Sequence, residues 1–187
     1  MSYAQRRRFL LLLFLAGLLL IGIVASATTF VRLGFADLTR TATAVARLRC
    51  VASESFVENG QIWTATRFAI LETAKGTLPA AITVRTPGGS AAGVTAHVEG
   101  APRFRTGEEV FLFLVAAPGE PWKILGWAQG TFRIARDSSG GRERLTQDSA
   151  ALPVYDPARR EFRAEGLRNV TVDEFRARVQ RVLAAAP

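Results

Sequence analysis

The sequence predicts a mainly β fold, a small antiparallel barrel or sandwich, with an apolar N-terminal helix before it and an amphipathic C-terminal helix after it. Three observations carry that expectation. Asn59-Gly60 separates two runs of strand character, and Asn-Gly suits the type I′ hairpin turn because both central residues need positive φ. Val110 to Val115 is a continuous apolar run of strand length, the pattern of a strand buried on both faces. Gly and Pro breaks separate further short β-type runs at close spacing, as in small antiparallel folds.

The chain opens with Arg6-Arg7-Arg8, carries no charge from Phe9 to Ala25, and reaches Ala25-Ser26-Ala27. A basic start, an apolar core and an A-x-A site make residues 1–27 a signal peptide or a membrane anchor. The apolar run of 17 residues is long for a signal core and short for a span, so cleavage after Ala27 and retention are both open. Either way the expectation is an exported protein. Its domain would be periplasmic or extracellular, or anchored through residues 9–25 in the cytoplasmic membrane with the domain outside. The net charge of +8 falls to +5 without the three leading arginines. The remaining arginines are scattered among Asp and Glu, which suits a solvated surface and leaves attraction to anionic lipid or polymer open.

Residues 28–146 are read as the β domain. Thr28 to Leu33 looks extended, and Gly34 to Thr43 reads as a short helix or turn with Phe35, Leu38 and Ala42 on one side. In the first hairpin strand Ala46, Leu48, Cys50 and Ala52 share one face while Arg47 and Arg49 share the other. The returning strand, Ile62 to Ala74, is rich in β-branched and aromatic residues. Lys75 to Pro79 ends it, and Ile82 to Thr86 forms a third strand. Pro87 to Gly93 reads as a flexible loop, Val94 to Val98 as a short strand, and Pro102 to Glu109 as a turn region leading into the apolar run. Trp122 to Trp127 and Thr131 to Ala135 complete the strands. Residues 147–168, polar and broken by Pro153 and Pro157, read as a linker. Residues 169–187 are read as the C-terminal helix, with capping-box spacing at Thr171 and Glu174 and an apolar stripe of Phe175, Val179, Val182 and Leu183.

Chemistry is sparse. The only histidine is His97 and the only cysteine is Cys50, so neither a triad base nor a cluster of metal ligands is provided for. Gly88-Gly89-Ser90-Ala91-Ala92 lacks the last glycine and the strand-to-helix setting of a nucleophile elbow. It also lacks the Lys-Ser/Thr of a phosphate loop. Glu108 and Glu109 are strand neighbours that point oppositely and solvate a turn. Cys50 reads as a small buried hydrophobe, with an intermolecular disulfide or reactive thiol as the sharper alternative. Trp63, Trp122, Trp127 and Arg67 could in principle stack nucleic-acid bases, but the export signal argues against it, and core or rim packing is the plainer role. The expectation is no catalytic residue, no metal, no cofactor and no nucleic acid.

Asp37-Leu38-Thr39, the Asn59-Gly60 hairpin, Glu72-Thr73-Ala74-Lys75-Gly76 and Gly107-Glu108-Glu109-Val110-Phe111-Leu112-Phe113-Leu114 carry a resemblance across residues 28–136. The chain resembles a set of uncharacterised exported bacterial proteins. More distantly, it is similar to the netrin-like domain of tissue inhibitors of metalloproteinases, which implies an OB-like barrel. Those inhibitors present an N-terminal cysteine to a catalytic zinc; here the expected start is Thr28-Thr29-Phe30, so that mechanism does not carry over. The expected function is a non-enzymatic binding or interaction module of the cell envelope, with a protein or surface polymer as partner. The alternative is an inhibitor or accessory factor of an extracellular protease, inserting Thr28, Thr29, Phe30 and Arg32 as an extended segment.

Overall fold

A computed structural model describes residues 30–116, 118–136 and 141–185; residues 1–27, including the apolar segment, lie outside them. Asn59 and Gly60 have φ of 51° and 73°, and they join β1 (Ala44–Glu58) to β2 (Gln61–Lys75), with Glu58 opposite Gln61. β3 (Ala81–Pro87) pairs with the far side of β2, and β6 (Glu109–Val115) with the near side of β1. β4 (Gly89–Ala91) and β5 (Val94–Ala96) form a separate small hairpin. The expected flexible loop is therefore ordered, turning at Ala92 and Gly93, both with positive φ.

Beyond β6 lie β8 (Thr131–Arg136), β9 (Glu143–Gln147) and β12 (Val170–Thr171). The antiparallel order is β12-β9-β8-β6-β1-β2-β3, with β7 (Lys123–Ile124) also on β6. The sheet stays open, with β12 and β3 at its ends, and does not close into the barrel expected from the sequence. One isolated parallel bridge, Val84 to Trp122, joins β3 to the segment leading into β7.

β6 shows why the sheet has two cores. Val110, Leu112 and Leu114 point to an inner face with Ala44, Ala46, Leu48, Cys50, Phe68 and Val84. Phe111 and Phe113 point the other way, into a core with Phe132, Leu145, Phe175 and Val179. The apolar run is thus buried on both sides, as its composition demands. The second core lies beneath the helices α1 (Phe35–Thr41) and α2 (Val172–Ala184). α2 begins at Thr171, whose hydroxyl accepts from the Glu174 amide at 3.2 Å, the expected N-cap. Its Phe175 is fully buried, with ring centroids 4.8 Å from Phe111 and 5.1 Å from Phe132. α1 is tied down at its C-terminus by Lys75, whose Nζ donates to the carbonyls of Thr39, Arg40 and Ala42 at 2.6–2.8 Å. A cation on these unpaired carbonyls also complements the helix dipole.

Residues 147–168 are not a linker. A 3₁₀ turn (Asp148–Ala151) leads into a hairpin of β10 (Pro153–Asp156) and β11 (Glu161–Ala164). Gln147, Ser149, Val154 and Asp156 are buried. The polarity that suggested a linker is consumed internally. The Gln147 side chain donates to Gln129 O and accepts from Leu167 N, and Asp156 accepts from the amides of Ala158 and Arg159.

Candidate functional site

β1 departs from strict alternation at one place that matters for the surface above it. Cys50 pairs with Phe68 and Ala52 with Arg67, so Val51 is an extra residue in the ladder. Such a bulge reverses the facing of everything beyond it. Ala52, expected on the buried face with Cys50, instead lies exposed opposite Arg67, while Ser53, also exposed, and the half-buried Ser55 share the inner face with their partners, the buried Thr66 and Thr64. Cys50 itself is buried, and desolvation, aided by the charge of Glu108, raises its thiol pKa above the ordinary value. That suits a packing role rather than reactivity.

On the outer side of β2 and β3 the alternate residues Trp63 and Arg85 open a groove of ≈ 360 Å³, completed by Pro87, Pro121, Lys123 and Trp127. The Arg85 guanidinium carbon lies 4.2 Å from the Trp63 ring centroid and 5.2 Å from that of Phe56. This is cation–π stacking, favourable because the ring face is electron-rich. Arg85 also pairs with Glu58, and Lys123 pairs with Glu120. Arg85 Nε is buried without a hydrogen-bond acceptor among the described residues, held in the stack by the aromatic faces.

Trp127 is the strained member. It has φ of 49°, directly after Gly126 at 63°, and a bulky residue at positive φ is an outlier maintained only by its surroundings. Those surroundings are specific. Thr131 Oγ1 donates to the Trp127 carbonyl at 2.9 Å, and the Ala128 amide donates to Gly100 O at 3.0 Å. The Phe30 ring meets the indole edge-on at 5.9 Å. A Cβ on Gly126 would stand 2.9 Å from Leu33 Cδ1, so glycine is needed there for space as well as for φ. The groove is thus lined by two held indoles, that of Trp63 stacked by Arg85, and by internally neutralised charges. No histidine, cysteine or hydroxyl nucleophile lines it.

Of the residues singled out from the sequence, Trp63 and Trp127 line this groove, and the others fall elsewhere. Thr28 and Thr29 lie outside the described residues. Phe30 and Arg32 are pinned by the backbone: Tyr155 N donates to Phe30 O at 2.7 Å, and Arg32 N donates to Tyr155 O at 2.8 Å. Arg32 also pairs with Glu165 at 2.7 Å. Ser90 Oγ lies 2.8 Å from Thr95 Oγ1, while the His97 side chain is 82% exposed, 3.5 Å from Glu99, at the edge of a cleft that Ser90, Thr95 and Arg103 also line.

Glu108 and Glu109 do diverge, but into ion pairs rather than into solvent. Glu108 meets Arg133, and Glu109 meets Arg47 and Arg49. Trp122 packs against the inner core and Arg67 is exposed, so neither belongs to the groove. Nothing in the sequence around Arg85 marks it, because its recruitment depends on Trp63, a partner from the neighbouring strand. Among the described residues no three His, Cys, Asp or Glu side chains gather as metal ligands, and no helix is long and apolar enough to cross a membrane. No protein-family model matches the chain, and no curated protein or solved structure compared with it is similar.

Proposed function

We infer that this is an exported, non-enzymatic envelope domain that binds a surface polymer of saccharide type along the Trp63–Trp127 groove. The observation that supports this is the strained Trp127, held with its indole on the same groove as Trp63 and the stacked Arg85. Backbone strain of this kind costs about 1–3 kcal/mol and clusters at ligand sites. Indole faces stack on the apolar faces of sugar rings, while the paired Arg85, Glu58, Lys123 and Glu120 supply donors and acceptors for hydroxyls without presenting a net charge. Export rests on the basic, apolar and A-x-A pattern of residues 1–27. The OB-like reading rests on the inner half of the sheet, β6-β1-β2-β3, which curls until Trp122 exchanges two backbone hydrogen bonds with β3, at 3.1 and 3.2 Å.

The protease-inhibitor reading is less favoured, because Phe30 and Arg32 are paired to Tyr155 rather than presented for insertion. The test is co-sedimentation of the full chain with peptidoglycan sacculi, chitin and cellulose. We expect saturable retention on at least one polymer, reduced about tenfold by Trp127→Ala and by Trp63→Ala, as the loss of one aromatic stacking contact implies. Retention on none of the three would end the polymer reading.

A further inference from the structure

The inner face of the same strands carries a second site with different chemistry. We propose that Arg103, set among the hydroxyls of Ser53, Ser55, Thr64, Ser90 and Thr95, binds a tetrahedral oxyanion of phosphate or sulfate type in the cleft of ≈ 310 Å³ that they line.

The cleft exists because of the Val51 bulge. Strict alternation after Cys50 would aim Ala52, Glu54 and Phe56 inward, placing a carboxylate beside Arg103. The extra residue aims Ser53 and Ser55 inward instead. Thr64 Oγ1 then becomes a hub. It donates to Gly88 O at 2.6 Å and accepts from Arg103 Nη1 at 2.8 Å. Its one hydrogen is therefore used, so Ser55, 2.9 Å away, must be the donor in their contact. The strand crossing above leaves room only for glycine. A Cβ on Gly88 would lie 2.4 Å from Arg103 Nη2, and one on Gly89 2.2 Å from Ser55 Oγ. Gly88-Gly89-Ser90, neither a nucleophile elbow nor a phosphate loop, is the backbone that presses down on this arginine.

Arg103 is held in place from behind. Its neighbour Phe104 is buried, edge-on to Phe68 at 5.0 Å, and Arg133 Nη2 donates to the Arg103 carbonyl at 3.0 Å. The guanidinium has five N–H donors, and its protein acceptors are Thr64 Oγ1 and, at 3.3 Å, Ala96 O. No carboxylate lines the cleft, and none pairs with Arg103 among the described residues. Burial accordingly lowers its pKa from the ordinary arginine value, with no opposing carboxylate. A partly buried, preorganised guanidinium with unused donors, beside the hydroxyls of Ser53, Ser90 and Thr95 and with no carboxylate in the lining, gains most from an anion with several acceptor oxygens. The site lies on the opposite side of β2 and β3 from the tryptophan groove, so the two proposals fail independently.

The experiment is titration of the full chain, solubilised in detergent at low ionic strength, with inorganic phosphate and followed by amide chemical shifts. We expect saturable shifts at Ser90, Thr95 and Arg103 with a Kd of about 1 mM, a weak-site affinity of roughly 4 kcal/mol. Arg103→Gln should weaken binding at least about tenfold, while Arg67→Gln, at an exposed cation outside the cleft, should leave it unchanged. Absence of saturable shifts in the unsubstituted chain, shifts centred elsewhere, or equal weakening by the two substitutions would overturn the proposal. The first two outcomes need no variant to fold. Glycerol phosphate and vesicles containing phosphatidic acid then separate the sources. Tighter binding of the soluble ester assigns a small phosphorylated molecule, and tighter binding of the vesicles assigns a lipid headgroup; either supports the site.

Discussion

The two ends of the β1–β2 hairpin share strands and pairing but differ in what they face. At the base, Ala44, Val45, Ala46 and Leu48 are fully buried, with the inner core on one side and the aromatic core under α1 and α2 on the other. At the tip, past Val51, the inner face carries Ser53, Ser55, Thr64 and Thr66, and Val57 is half exposed. One bulged residue separates an end built for stability from an end built for contact. Stability and binding can therefore be perturbed separately, because the base carries the apolar burial while the tip carries accessible polar groups.

The largest effect should come from the base. Phe175→Ala would empty a fully buried site that touches Phe35, Phe111, Phe113 and Phe132. A cost of about 3–5 kcal/mol in denaturant unfolding is expected, against about 0.5 kcal/mol or less for Val57→Ser at the tip. Comparable costs at both positions would break the contrast.

A sharper version uses the same residue type at each end. Gly60 and Gly76 have nearly equal φ, 73° and 77°, but a Cβ on Gly60 meets nothing within 4 Å, whereas one on Gly76 would lie 2.4 Å from Thr43 O. Gly60→Ala should cost about 1 kcal/mol from φ alone. Gly76→Ala should cost about 2 kcal/mol more, a clash-sized penalty, and it should also disturb the Lys75 cap on α1. Equal midpoint shifts in thermal unfolding would refute the steric part.

The smallest effect is electrostatic and belongs to the base. Arg47 reaches Glu109 and Glu143. Burial pushes the Glu109 carboxyl up, but its hydrogen bonds to Arg49 and Arg47 outweigh this and hold it below the usual range. For Glu143 the hydrogen bond from Arg47 is the largest cause, and it too is held low. A depressed carboxylate contributes stability above its unfolded value, near pH 4.3 for glutamate, and loses it as pH falls through the lower folded value. Stability should therefore drop below about pH 4.3, and Glu143→Gln should flatten that drop while costing about 1 kcal/mol at neutral pH. Asp148 works in the opposite sense. Desolvation raises its pKa despite Arg133, so its contribution is lost as pH rises through the folded value. An unchanged acid profile in the Glu143 variant would remove Arg47 from the account.

Much of this molecule could be read from its chain alone. The hairpin turn at Asn59-Gly60, the doubly buried β6 and the capped α2 each rest on a short-range pattern: positive φ, uninterrupted apolarity, and a hydroxyl three residues before a glutamate. Such patterns report local geometry, and local geometry is what they determined. The open sheet, the folded 147–168 region and both candidate sites depended on partners distant in sequence. The polar groups of residues 147–168 looked like solvent-facing ones until Gln147 met Gln129 and Leu167. Arg85 became a stacking residue only beside Trp63, and Arg103 an anion site only because Val51 reversed the facing of Ser53 and Ser55. A period-2 pattern carries no mark of where an extra residue will be accommodated; that is decided by the partner strands, β2 and β6, whose registers must both be satisfied at once.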